Sequence, residues 1–89
     1  MLKAIKQSMR ISHDALNDDI SGNIEICKLD LEMAGVYCKE TDKLYQKACE
    51  LYCKWQNDYM GKGEQFEKSY RSLKDAMALC GDYNVRPAN

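Results

Sequence analysis

The stretch DALNDDISGNIEICKLDLEMAG, residues 14–35, decides the fold. Leu16, Ile20, Ile24, Cys27, Leu31 and Ala34 follow one another at intervals of four and three, the period of an α-helix with one face turned to a core. A helix is therefore expected from about Asp14 to Ala34. Ile26, Leu29 and Met33 widen the apolar stripe, so this helix has greasy surface left over for a neighbour on a second side. Asp14, Asp18 and Asp19 fall in its first turns, where carboxylates suit the positive end of the helix dipole. Gly22 is an interior weak point, less favourable than alanine by about 1 kcal/mol. Gly35 suits a left-handed stop.

Reading outward, the same period recurs on both sides. Leu2, Ile5 and Met9 mark a short first helix, too short to stand alone. Ser12 to Asp14 is polar and reads as a break. Val36 to Thr41 is a connector, with Thr41 as the expected N-cap of a third helix from about Asp42 to Met60. Its stripe is Leu44, Ala48, Leu51, Tyr52, Trp55 and Tyr59. Gly61-Lys62-Gly63 ends it. A fourth helix is expected from about Glu64 to Cys80, on Phe66, Tyr70, Leu73, Met77 and Cys80, with Gly81 closing it. Asp82 to Asn89 reads as a loose tail. The expectation is an all-α fold, a small bundle of about four helices in one domain over residues 1–83, with a flexible tail over 84–89.

With 89 residues the chain makes one domain with a modest core. At 45% hydrophobic and 30% charged residues it reads as globular rather than disordered. A net charge of −1 argues against a general nucleic-acid binder, which carries a basic surplus. No apolar run approaches the roughly 20 residues that cross a bilayer. The N-terminal stretch lacks a continuous apolar segment, so no signal peptide and no membrane contact is expected. The charge is unevenly placed. Residues 1–11 carry Lys3, Lys6 and Arg10, whereas residues 14–34 carry Asp14, Asp18, Asp19, Glu25, Asp30 and Glu32 against Lys28 alone.

The residues that carry chemistry are sparse. Cys27, Cys38, Cys49, Cys53 and Cys80 are odd in number and contain no CxxC pair, which does not fit a disulfide framework; they read as reduced, mostly buried small hydrophobes. Cys49 and Cys53 share a helix face, but a zinc site needs two more ligands and only His13 and scattered cysteines remain. His13 reads as a solvated turn residue. Gly61-x-Gly63 lacks the third glycine and preceding strand of a dinucleotide loop and the lysine–serine ending of a phosphate loop. Asp18-Asp19 and Asp30-x-Glu32 do not match a calcium loop. The aromatic residues Tyr45, Tyr52, Trp55 and Tyr59 recur at helical spacing and read as core rather than as a base-stacking platform. No catalytic, cofactor or metal residues are assigned, and the chain is expected to work by binding rather than as an enzyme. A helix-turn-helix reader would want a recognition helix rich in Arg, Asn and Gln, which is missing.

Two stretches carry a family resemblance. LKAIKQSMRISHDALNDDISGNIEICKLDLEMAGV, from Leu2 to Val36, resembles the opening of tailed-phage head–tail connector (adaptor) proteins. The matching features are Met9-Arg10-Ile11, His13-Asp14, Asp18-Asp19-Ile20, Ile24 and Ala34-Gly35. DKLYQKACELYCKWQNDYMG and FEKSYRSLKDAMALCGDY resemble the later helices of that family, with an aromatic end at Trp55 and Tyr59. Together they span roughly residues 2–83. The motifs are helical patterns rather than catalytic signatures. Cys27, Cys49, Cys53 and Cys80 stand where aliphatic or alanine residues are expected.

The resemblance implies a structural subunit, without cofactor, that forms a ring beneath the portal protein of a phage or prophage head. Double-stranded DNA would pass through the lumen without sequence-specific binding, and a head-closure or tail protein would dock below. The implied location is the virion neck, with the host cytoplasm during assembly. Such rings join one face of a subunit to a different face of the next. The uneven charge suggests the contact: Lys3, Lys6 and Arg10 of one subunit against Asp18, Asp19 and Glu25 of its neighbour. A near-neutral chain suits a conduit that does not grip phosphate. The alternative reading is a non-viral helical adaptor that binds a partner helix in a groove.

Overall fold

Four helices form in the computed structural model, which describes residues 1–37 and 39–85. They are α1 (Leu2–Ser8), α2 (Asn17–Met33), α3 (Lys43–Gln56) and α4 (Gly63–Ala78), with short 3₁₀ turns at Tyr59–Gly61 and Gly81–Tyr83. The described residues contain no strand. The protein is thus an all-α bundle with one short and three longer helices. No helix among the described residues is long and apolar enough to cross a membrane. Cys38 and the end of the tail, residues 86–89, lie outside the described residues.

The spacing in residues 14–35 places the core face correctly. Ile20, Ile24, Cys27 and Leu31 of α2 are buried, as are Ile5 and Met9 beside α1. The third helix is the hub: α1, α2 and α4 all pack on it. It contributes Tyr45, Ala48, Cys49, Leu51, Tyr52 and Cys53 to the core, and α4 contributes Tyr70 and Met77. Leu44 is a correction to the expected stripe, being about half exposed while its neighbour Tyr45 points inward.

Helix ends explain the other differences. The second helix begins at Asn17, not Asp14, because the Asp14 carboxylate turns outward to Lys6 and Asn17. It ends as expected at Gly35, whose φ of 88° lets the Val36 amide donate to Leu31 and the Gly35 amide to Glu32. Val36 is buried beneath that turn. The N-cap of α3 is Asp42 rather than Thr41; its side chain accepts from the Tyr45 amide at 3.0 Å. The third helix stops at Gln56 instead of reaching Met60. Asp58 there adopts left-handed backbone (φ 46°), and its Oδ1 accepts from the Gly63 amide at 2.8 Å. A Cβ on Gly63 would sit 2.6 Å from that oxygen, so α4 opens on glycine.

The chain after Gly81 also departs from expectation. Tyr83 is buried, its hydroxyl donates to Asp42 Oδ2 at 2.8 Å, and its carbonyl accepts from the Tyr37 amide at 2.9 Å. The Asn84 side chain donates to the Ala78 carbonyl. Residues 82–84 are therefore tied to the start of α3, the end of α4 and the preceding connector. The hydrogen bond to Asp42, then burial, raises the Tyr83 hydroxyl to about 12.

Candidate docking surface

Because α2 and α4 both rest on α3, a groove opens between them, with α3 as its floor. It measures about 240 Å³ and runs between Ile26, Leu29 and Met33 on one wall and Arg71 and Lys74 on the other, over Tyr52 and Trp55. The α2 wall is apolar and open: Ile26, Leu29 and Met33 are 52%, 61% and 88% exposed. These are the three residues whose spacing left them outside the core stripe. An apolar wall of this exposure, continuous with an aromatic floor, is the pattern of a contact surface rather than of scattered surface residues.

The floor is rigid. Tyr52 meets Trp55 and Tyr70 edge-on, with ring centroids 5.4 and 5.2 Å apart. The Arg71 guanidinium lies 5.4 Å from the centre of the Trp55 ring, and its Nε donates to Glu67 at 2.9 Å. One polar bridge crosses the groove. The buried Tyr70 hydroxyl donates to Asp30 Oδ2 at 2.6 Å, and Lys74 Nζ donates to the same oxygen at 3.0 Å. The Tyr70 oxygen also lies 3.8 Å from the thiol of Cys27. Partial burial tends to raise the Asp30 carboxyl, but the hydrogen bonds from Tyr70 and Lys74 and the nearby charge outweigh it and hold the group below the ordinary carboxylate value. Burial, then the Asp30 bond, raises the Tyr70 hydroxyl. The bridge thus keeps Asp30 ionised and Tyr70 neutral, fixing the spacing of α2 and α4.

The four described cysteines are free thiols. Cys27, Cys49 and Cys53 are fully buried free thiols, and Cys80 is half-buried. A hydrogen bond with Cys27, then burial, raises Cys49; burial, then Cys49, raises Cys53 to about 12. Protonated thiols in a dry core are poor nucleophiles and poor metal ligands. Among the described residues, no group of three or more His, Cys, Asp and Glu side chains is placed to hold a metal ion. His13 sits in an exposed turn, where its Nδ1 accepts from the Ala15 amide.

The charged residues expected at a subunit contact fall in two groups. Lys6 is engaged within its own chain, 2.9 Å from Asp14. Glu25 lies 3.5 Å from Lys28, which also reaches Glu40. Lys3 and Arg10, and Asp18 and Asp19 in the first turn of α2, are exposed and make no ion pair among the described residues. The groove residues Trp55, Tyr70, Arg71 and Lys74 were not singled out as a site from the sequence. Their partnership with Asp30 spans some forty positions and leaves no local pattern. Compared with protein-family models, with curated proteins and with solved structures, the chain matches none of them.

Proposed function

We propose that the protein is a structural subunit that acts by docking onto other protein chains rather than by catalysis, and that it serves as a ring-forming head–tail connector subunit of a tailed phage or prophage. The observation that carries the docking reading is the exposed apolar wall of α2 over the aromatic floor of α3. An unshared wall of this kind is costly to leave in water and gains by being covered. The narrower assignment to a connector rests on the resemblance over residues 2–83, and the four-helix architecture is compatible with it.

In this reading the subunit sits beneath the portal protein in the virion neck, and a head-closure or tail protein docks below it. Duplex DNA passes through the ring without being gripped, as the near-neutral charge allows. Lys3 and Arg10 of one subunit lie against Asp18 and Asp19 of the next. Lys6 is already held by Asp14, so Lys3 and Arg10 are the residues whose reversal to Glu would weaken such a contact without disturbing the fold. Electron microscopy of the purified protein, alone and with a portal protein, tests the proposal. Closed rings, or rings formed on a portal, support it. A chain that forms no ring under either condition and binds a single amphipathic helix in the α2–α4 groove overturns it in favour of an adaptor.

A further inference from the structure

The 3₁₀ turn after α4 is anchored on one short stretch of chain far behind it. Tyr83 is buried and meets that stretch three times. Its hydroxyl donates to Asp42 Oδ2, 41 positions earlier, at 2.8 Å. Its carbonyl accepts from the Tyr37 amide at 2.9 Å. The Lys39 ammonium lies 5.1 Å from the centre of its ring. The Asn84 side chain adds one bond, to the carbonyl of Ala78, the last residue of α4. Cys80, between α4 and the turn, has extended backbone (φ −95°, ψ 120°), so the helical ladder of α4 does not continue into the turn.

Asp42 joins the turn to α3. The same Oδ2 that takes the Tyr83 hydroxyl also accepts from the Tyr45 amide at 3.0 Å and so caps α3. A cap needs only a short side-chain oxygen, which serine also supplies. The bond to Tyr83 uses the longer reach of the carboxylate. The two roles of Asp42 are therefore separable by substitution.

We propose that residues 81–84 are a clasp: a strap that closes through Tyr83 over the α2–α3 connector and the start of α3, and that opens as a unit while the three longer helices stay folded. The balance of contacts supports this. One buried ring, the cation above it and three hydrogen bonds to α4 and the 37–42 stretch hold the strap. Each longer helix is held by its own ladder and by two or more buried side chains. Opening loses only the first set, so it lies below global unfolding in free energy. It uncovers the Tyr37 amide and the Asp42 carboxylate together, because both are covered by the same residue.

The clasp does not rest on the connector proposal and can fail separately from it. Native-state hydrogen exchange of the full chain in low, rising denaturant reads it. The amides of Tyr37, Tyr83 and Asn84 should exchange through one opening that is nearly insensitive to denaturant. Its opening constant should exceed that of Cys49 and Tyr52, inside α3, at least a hundredfold, and those two amides should show the steep denaturant dependence of global unfolding. Tyr83→Phe and Asp42→Ser should each enlarge the strap opening about tenfold, and the double variant should be no faster than the faster single one, since both remove the same bond. Strap amides that exchange only at the denaturant-sensitive rate of Cys49 and Tyr52 overturn the separate opening. A Tyr37 amide without protection overturns the closed strap. A double variant whose effect is the product of the two single effects overturns the Tyr83–Asp42 clasp.

Discussion

Ile20, Ile24, Cys27 and Leu31 on one face of α2 are buried, whereas Ile26, Leu29 and Met33 on another stand more than half open to solvent. Composition does not separate the two sets, since both are aliphatic or sulfur-containing. What separates them is α3, helped by α1, which together cover the first face and leave the second as the wall of a groove. Fully burying a side chain of this size stabilises a fold by roughly 1.5–3 kcal/mol. The inner residues deliver that within the single chain, and the outer ones deliver most of it only when something else covers them. Folding thus rests on one face of the helix, and under the docking proposal the opposite face is the one a partner covers.

The sharpest way to break this comparison is a matched pair of truncations. Leu31→Ala should cost about 2–5 kcal/mol, because it empties a fully buried site. Leu29→Ala, two residues away, should change the stability of the dilute protein by no more than about 0.5 kcal/mol. Denaturant unfolding with constant slope reads both values. Equal losses would mean that the outer wall belongs to the core after all.

The groove bridge should rank next. Asp30→Ala removes the acceptor of the buried Tyr70 hydroxyl and should cost about 1–3 kcal/mol in the same assay. A smaller effect follows from its titration. The folded carboxyl of Asp30 lies below its ordinary value of 3.8, so the unfolded chain takes up the proton first as the solution is acidified. Its contribution is therefore present above about pH 4 and is lost as pH falls through the lower, folded value. The unfolding midpoint of Asp30→Asn should show a shallower decline below about pH 4 than that of the native chain. Smallest in energy, but easily read, is thiol access. With Cys38 replaced by Ser, a water-soluble thiol reagent should label Cys80 first and reach Cys27, Cys49 and Cys53 only at the rate of unfolding. Rapid labelling of all four would show that the inner face is not sealed.

Much of this division was legible from spacing alone. The intervals in residues 14–35 marked both the inner stripe and the three residues left over, because helical period maps directly onto faces. The stop at Gly35 was legible because few other residues accept its backbone conformation. The N-cap was misplaced by one residue because Thr41 and Asp42 are both good caps locally. Asp42 has a second role, accepting from Tyr83, that no local pattern reveals. The burial of Tyr83 was missed for the same reason: a short segment after a glycine looks like a tail until its partners, far back in the chain, are known. The bridge from Asp30 to Tyr70 and Lys74 depends on how α2 and α4 lean on α3, which periodicity does not specify.

One substitution addresses both faces of α2 at once. Leu29→Glu places a charge in the middle of the exposed apolar wall of α2, and its mass by sedimentation can be measured beside its thermal unfolding on the same sample. The expected result is a chain that unfolds in the dilute state with the native midpoint but associates more weakly than the native protein does at the same concentration. A variant that loses its fold, or one that associates as well as the native chain, would contradict the assignment of this face to assembly.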